Sequence, residues 1–192
     1  MRQSKASDIA ILSIMIALII IIQVVSAFIY PVLPLPVSPT LASIPVIIGS
    51  IFLGPKKGAF LGFMMGLVLF IQATITPGVL NGLFTPFIPL PGHTQGTPWA
   101  LIVTFVPRIL IGIFPYFVAK GIKNRFGLGL AGVVGTLTNT LFVFLFIFIF
   151  FGWSMLGAII GITILWNSII EAVAAAILTT TIVPALMKAR GK

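Results

Sequence analysis

Six apolar segments, separated by basic or by proline- and glycine-rich stretches, constrain the fold of this chain most strongly. They cover residues 9–30, 41–53, 58–73, 99–119, 129–151 and 155–186. Hydrophobic residues make up 59% of the chain and charged residues only 7%, a composition that is typical of a protein whose solvent is the lipid bilayer. Roughly 20 apolar residues suffice for one membrane crossing. The sequence therefore predicts an all-α integral membrane protein with six transmembrane helices in one domain over residues 1–192.

The basic residues predict the orientation of these helices. Ten of the 11 lysines and arginines fall into four clusters at the termini or between segments. The clusters are Arg2 and Lys5; Lys56 and Lys57; Lys120, Lys123 and Arg125; and Lys188, Arg190 and Lys192. This distribution follows the positive-inside rule, whereas a nucleic-acid binder gathers its basic residues on one folded face. Both termini are therefore expected in the cytoplasm, and the first segment is too long for the apolar part of a signal peptide.

Two charged residues, Arg108 and Glu171, lie inside apolar segments. Arg108 lies 12 residues before Lys120, and Glu171 lies 17 residues before Lys188, so helical geometry places both deep in the bilayer. Charges within the membrane are costly and commonly mark a binding site or a transport pathway. A guanidinium binds a carboxylate or phosphate through two parallel hydrogen bonds. We therefore predict that Arg108 binds an anionic group of a small solute; a permanent pair with Glu171 is the alternative.

Further residues are candidates for the same binding site. Pro107 removes a backbone donor directly before Arg108 and is expected to disturb the preceding helical turn. Asn167 lies four residues before Glu171 and hence on the same helix face. For Asn167, and for Asn139 in the fifth segment, a packing hydrogen bond between helices is the simpler interpretation. The candidate set for solute binding is Arg108, Glu171, Asn167, Trp166, Asn139 and His93.

Two stripes of small residues predict close contacts between helices. Gly58, Gly62 and Gly66 recur every four residues, which is typical of helices whose backbones approach closely; we expect this stripe to pack within the chain. The first segment consists mainly of bulky Ile and Leu but also carries a stripe of small residues. We expect that stripe to dock a helix of a partner subunit, with internal packing as the alternative. Its members are Ala10, Ser13 and Ala17.

The connection over residues 74–98 is apolar and rich in helix-breaking residues. It contains nine prolines and glycines and no Lys, Arg, Asp or Glu. It also contains Phe84, Phe87 and Leu90, which is unusual for a solvated linker. Two interpretations stay open: the connection folds back over the outer mouth of the bundle, or its aromatic residues anchor in the lipid headgroups.

The sequence does not contain the residues that an enzyme active site needs. It has one histidine, two acidic residues and no cysteine, and it lacks the GxSxG, HExxH and P-loop motifs. The sequence therefore predicts no catalysis, no metal site and no cofactor, and any energy for transport has to come from a partner.

The chain resembles the substrate-binding S components of energy-coupling factor (ECF) vitamin transporters. The likeness rests on its length, its six apolar segments and the small stripe on the first. It also rests on residues 45–49 (PVIIG) and 53–62 (LGPKKGAFLG), which are similar to the family's second and third helices. The family's docking pattern Ala-x3-Ala reads Ser13-x3-Ala17 here.

This resemblance implies a multi-pass substrate-binding domain in a bacterial cell membrane that captures a vitamin outside. It also implies two kinds of partner: a transmembrane coupling protein and two cytoplasmic ATPase subunits. Within the family the chain is most similar to the pantothenate subunits, and pantothenate offers a carboxylate to Arg108 and hydroxyl and amide groups to Asn167 and Glu171. Riboflavin and hydroxymethylpyrimidine are alternative ligands. A structural membrane protein without a ligand, in which Arg108 and Glu171 lock the fold, is the alternative of a different class.

Overall fold

The chain folds into packed α-helices. The computed structural model describes residues 5–29, 41–76, 78, 80–159 and 162–189, and within these residues it contains no β-strand. The helices are α1 (Lys5–Ile29), α2 (Ser43–Leu53), α3 (Pro55–Ile75), α4 (Trp99–Ile111), α5 (Phe114–Gly121), α6 (Arg125–Ile159) and α7 (Ile162–Ala189), with a 3-10 turn at Asn81–Leu83. The predictions for Arg2, Arg190 and Lys192 lie outside the described residues.

Five stretches of the described chain are long and apolar enough to cross a membrane. They are Ser7–Ile29, Pro55–Ile75, Trp99–Gly121, Arg125–Trp153 and Asn167–Ala189. The second predicted segment forms α2, whose 11 residues extend only about 16 Å, well short of the roughly 30 Å hydrocarbon core. All residues from 43 to 52 are buried, so neighbouring helices rather than lipid surround α2. The predicted all-α membrane architecture is thus confirmed, with five helical stretches of spanning length.

The fourth predicted segment is two helices rather than one. At the joint the backbone hydrogen bonds tighten to a three-residue spacing, from Gly112 N to Ile109 O and from Ile113 N to Leu110 O, both 3.0 Å. Pro115, in the first turn of α5, has no N–H with which to continue the α-helical pattern across the joint. The helix therefore breaks four to five residues after Pro107, and not at the turn that the sequence predicts.

The boundary between the last two segments also differs from the prediction. The sixth segment was expected to begin at residue 155, but α6 continues to Ile159 and α7 begins at Ile162. The chain does turn within the predicted gap, at Gly152, whose φ of 82° is a left-handed conformation that glycine adopts without a steric penalty. Gly152 is thus a kink that separates a short helical stretch after it from the long helix before it.

The glycine stripe of α3 packs against α4, which confirms the predicted internal contact. A Cβ atom at Gly62 would overlap the backbone carbonyl oxygen of Arg108, and one at Gly58 would overlap that of Gly112. At Gly66 the neighbours are Phe105 and Thr104. Because these three positions of α3 are glycines, the α4 backbone can approach closely, and this contact sets its position at Arg108.

The connection between α3 and α4 folds back onto the bundle. Leu83 and Leu90 are buried in a cluster with Val103 of α4 and Ile147 of α6. The Thr74 and Thr85 hydroxyl oxygens lie 2.8 Å apart, which ties the connection to the end of α3. Phe87 remains 70% exposed. The described part of this connection therefore packs onto the bundle at the end of α3 that is remote from Lys56 and Lys57, as the first of the two sequence interpretations expects; that this end is the outer one stays a prediction.

Candidate functional site

The side chain of Arg108 is hydrogen-bonded to a backbone carbonyl of its own helix, which Pro107 leaves without its usual partner. In a regular helix the N–H of residue 107 donates to the carbonyl oxygen of residue 103, but proline has no N–H. The Arg108 Nη1 donates instead to the Val103 carbonyl oxygen at 2.8 Å. One end of the guanidinium is thereby fixed inside the bundle, where Arg108 is only 4% exposed.

The connection between α3 and α4 places the face of an aromatic ring beside the same guanidinium. The Arg108 Cζ lies 5.5 Å from the centroid of the Phe84 ring, which is within the range of a cation–π interaction. The Thr104 hydroxyl donates to the Phe84 carbonyl oxygen at 2.7 Å. Because Thr104 precedes Arg108 by about one helical turn, the same side of α4 anchors the connection and carries the arginine.

The remaining surroundings of Arg108 combine an available donor with a nearby opposite charge. Its Nε atom is buried and has no hydrogen-bond partner among the described residues. Glu171 of α7 is 5% exposed and attracts the guanidinium electrostatically. The fold thus brings together the two intramembrane charges that the sequence singled out, from α4 and from α7.

Asn139 of α6 contributes a second buried polar atom to the bundle. It is 7% exposed, and its Oδ1 has no hydrogen-bond donor within the described part of the chain. The neighbouring hydroxyls bond within their own helix: Thr136 donates to Val133 O at 2.9 Å and Thr138 to Val134 O at 2.6 Å. Asn139 therefore differs from its neighbours in presenting an acceptor that its own helix does not use.

The start of α7 lies beside the same part of α6. The Thr140 and Ser168 hydroxyl oxygens are 3.1 Å apart, and Asn167, next to Ser168, is half-buried. The side chain of Trp166 lies outside the described residues. The helices that carry Asn139, Asn167 and Glu171 therefore pack directly against each other.

His93 is exposed and lies apart from the residues around Arg108. It helps to line a cavity of about 170 Å³ between the α3–α4 connection and the end of α6. The other lining residues include Gln95, Thr97, Phe150 and Phe151. Arg108 does not line this cavity, so the structure does not bring His93 together with the buried candidates.

The small stripe of α1 faces outwards. Met15, Ile19 and Gln23 are the buried residues of α1, and they point into the bundle. Ala10, Ser13 and Ala17 lie on the opposite face and are all exposed. An ion pair between Asp8 and Lys57 fixes the start of α1 beside the start of α3.

Several residues around these sites were not identified from the sequence as parts of them. Pro107 does signal that the Val103 carbonyl is free, since a proline always deprives the carbonyl four residues earlier. The contact of Phe84 with Arg108 has no local signal, because it depends on where the α3–α4 connection folds.

In α1, the Gln23 Nε2 donates to Met65 O, and the Gln72 Nε2 donates to Gln23 O, both at 3.2 Å. A glutamine within a run of isoleucines and valines could have indicated this polar contact.

The arrangement defines a class of protein: a helical, multi-pass membrane protein with a buried guanidinium that is suited to binding an anion. Within the described residues, no group of three or more His, Cys, Asp and Glu side chains could hold a metal ion. The profile of the family described as "ECF transporter, substrate-specific component" matches residues 7–183. The chain belongs to this family, and it is therefore a bacterial membrane transport protein and not an enzyme.

Two characterised relatives match the chain over most of its length. It is 52% identical over 194 residues to the pantothenic acid transporter PanT of Lactococcus lactis subsp. cremoris, covering 99% of this chain and 98% of that protein. It is 31% identical over 164 residues to the pantothenate transporter PanT of Leuconostoc mesenteroides subsp. mesenteroides, covering 75% of this chain and 72% of that protein.

Proposed function

We propose that this protein is the S component that binds pantothenate from outside for ATP-driven uptake. Its partners are a transmembrane coupling protein and two cytoplasmic ATPase subunits, as the family membership supports. The 52% identity to a pantothenic acid transporter supports the choice of vitamin. The structural observation that carries the proposal is the buried Arg108 guanidinium, whose Nε has no partner among the described residues.

The chemistry of pantothenate matches the polar atoms that the bundle offers. Its carboxylate binds in the plane of the Arg108 guanidinium, at the edge formed by Nε and the adjacent Nη2, because that edge presents two parallel N–H donors. Its hydroxyl and amide groups bind the Asn139 Oδ1 and the Glu171 carboxylate. Asn167 and Trp166 complete the proposed set of contacts at the buried site. His93 lies apart from Arg108, so its proposed contact with the ligand is made only as the ligand enters.

We further propose a six-span topology with both termini in the cytoplasm. The short helix α2 is proposed as the sixth span. It is buried along its length and therefore does not need to present an apolar surface as long as the bilayer core is thick. Apart from Arg108, the described basic residues lie at the starts of α1, α3 and α6, at the ends of α5 and α7 and in the turn between α5 and α6. This distribution supports a cytoplasmic location for that end of the bundle. The connection over residues 74–98 then faces the outside.

Replacement of Arg108 and of the ligand carboxylate tests the binding site. We expect Arg108→Ala to weaken pantothenate binding about 30- to 5,000-fold, because losing a desolvated charge partner costs roughly 2–5 kcal/mol. Arg108→Lys should restore little, since lysine lacks the two-pronged donor. Pantothenol, in which an alcohol replaces the carboxylate, should bind weakly to the wild type and no more weakly to Arg108→Ala. Equilibrium dialysis of the purified proteins with labelled ligands measures all five affinities.

The matched control is Arg125→Ala, which removes the same side chain from an exposed position and should leave binding unchanged. Equal affinity of the wild type for pantothenate and pantothenol would contradict the proposal. If Arg108 and Glu171 only lock the fold, each single change to Ala would give an aggregated protein, and the double change would recover a monodisperse one. Riboflavin and hydroxymethylpyrimidine serve as competitors: displacement of pantothenate by either at equal concentration would reassign the ligand.

A further inference from the structure

We infer that Pro107 and Phe84 are positioning residues for Arg108, and that together they present its in-plane Nε edge to a carboxylate. This inference rests on the proposed function, because it explains how the arginine would discriminate an anionic ligand from a neutral one. It adds two residues that do not themselves hydrogen-bond the ligand.

The contribution of Pro107 follows from the hydrogen bond that it cannot make. A buried backbone carbonyl needs a donor, and the Val103 oxygen, deprived of its helical partner by Pro107, accepts from the Arg108 Nη1 at 2.8 Å. A long flexible side chain is thereby tied to its own helix at one end. The guanidinium is planar and rigid. Because it is attached to the side chain through Nε, fixing Nη1 as well limits how far its plane can rotate.

The contribution of Phe84 is to place the face of its ring beside the guanidinium. Its ring lies 5.5 Å from the Arg108 Cζ and is attracted by the positive charge through its negative π face. Its backbone is fixed by the Thr104 hydroxyl at 2.7 Å. A ring beside the guanidinium excludes solvent there but does not compete with a carboxylate for its N–H donors.

The two contacts therefore divide the guanidinium between the protein and the ligand. The Val103 carbonyl accepts a hydrogen bond from Nη1, and the Phe84 ring contacts the guanidinium. Nε is the buried donor that remains without a partner among the described residues. A ligand that has two acceptor oxygens in one plane matches this edge, whereas an alcohol offers a single oxygen. Positioning of this kind should appear as selectivity for the carboxylate rather than as overall affinity.

The test measures the ratio of the dissociation constants of pantothenol and pantothenate. Pro107→Ala supplies an N–H to the Val103 carbonyl and competes with Arg108 for it; Phe84→Leu keeps an apolar side chain but removes the π face. We expect the ratio to fall roughly 2- to 30-fold in Phe84→Leu, the range that corresponds to one cation–π contact, and to fall in Pro107→Ala while the melting temperature is maintained or raised. Phe84→Tyr keeps a ring face and should keep the wild-type ratio.

Two matched controls remove the same residue types elsewhere. Pro184→Ala replaces a proline inside α7, and Phe87→Leu replaces the exposed phenylalanine of the same connection; both should keep the wild-type ratio. A wild-type ratio near one would defeat the proposed function and this inference together. A high wild-type ratio that Phe84→Leu and Pro107→Ala both retain would overturn the positioning alone. If Pro107→Ala is not recovered as a monodisperse protein, Phe84→Leu decides.

Discussion

At the scale of single residues, the buried polar atoms of this bundle separate into those that stabilise the fold and those that are left for a ligand. Thr136 and Thr138 satisfy their hydroxyls within α6, whereas the Asn139 Oδ1 has no donor among the described residues. A buried polar atom without a partner lowers stability by about 1–3 kcal/mol. The proposed ligand would supply the donor that this oxygen needs.

Asn139→Leu is predicted to raise stability and to weaken binding. The exchange keeps the number and branching of the side-chain heavy atoms but removes the unsatisfied oxygen, so the melting temperature should rise. Pantothenate affinity should fall about 2- to 10-fold, as expected for one lost hydrogen bond. Thermal unfolding and equilibrium dialysis of the same preparation measure both effects. Thr138→Val is the control and should not change binding; an Asn139→Leu protein that binds normally would remove Asn139 from the site.

At the scale of helices, the contact between α3 and α4 links the core to the arginine. Gly62 lies so close to the backbone of Arg108 that a Cβ would overlap its carbonyl oxygen. Any side chain at this position therefore has to push the two helices apart. Since Pro107, Arg108 and Val103 share that stretch of α4, the displacement is transmitted to the proposed site.

Gly62→Ala is predicted to reduce stability and binding together. Overpacking of this kind typically costs about 1–3 kcal/mol, and the shifted α4 backbone should also lower pantothenate affinity. Melting temperature and dialysis provide the measurements. Gly121→Ala, at the end of α5 where a Cβ meets open space, is the matched control and should be neutral. Wild-type stability in Gly62→Ala would mean that α3 and α4 pack less closely than the structure has them.

The exposed stripe of α1 belongs to the same scale and predicts a separation of binding from transport. Ala17→Trp should block assembly with the coupling protein but leave pantothenate binding by the isolated subunit intact, because Ala17 faces away from the bundle and small residues allow helices to approach closely. Co-purification of the complex and uptake into proteoliposomes measure the effect. Ala27→Trp, at an exposed alanine near the other end of α1, is the control; normal uptake by Ala17→Trp would exclude this stripe as the docking surface.

At the scale of the whole molecule, the orientation of the bundle decides from which side the site is reached. The chain has no cysteine, so single cysteines report accessibility without background. We expect a membrane-impermeant thiol reagent to label Thr94→Cys in intact cells and to label Lys123→Cys only after the membrane is permeabilised. Both positions are exposed. Labelling of Lys123→Cys in intact cells, with Thr94→Cys protected, would invert the proposed topology.

Much of the fold follows from local patterns in the sequence. Apolar length predicted the membrane helices, and the spacing of Gly58, Gly62 and Gly66 predicted a close helix contact, because hydropathy and side-chain size act on each segment independently of its neighbours. The break at Gly112 was not predicted, because Pro107 drew attention to an earlier turn and the role of Pro115 at the joint was overlooked. The turn at Gly152 lies in the gap that the sequence predicts between the fifth and sixth segments. The last helix, however, begins at Ile162 and not near residue 155, because the apolar pattern does not show that the residues after this glycine form a short helix of their own.

The sequence by itself determined that this protein lies in the lipid bilayer and that it is helical. It also singled out two charged residues, Arg108 and Glu171, as candidates for a binding site. Those conclusions depend on the transfer free energies of residues in one segment, which need no knowledge of packing. Only the tertiary structure decided that Val103 and Phe84 hold the guanidinium, that Asn139 keeps a free oxygen and that His93 lies apart. The partner of a buried polar atom depends on which helices and connections come together, and one-dimensional periodicity does not record that choice.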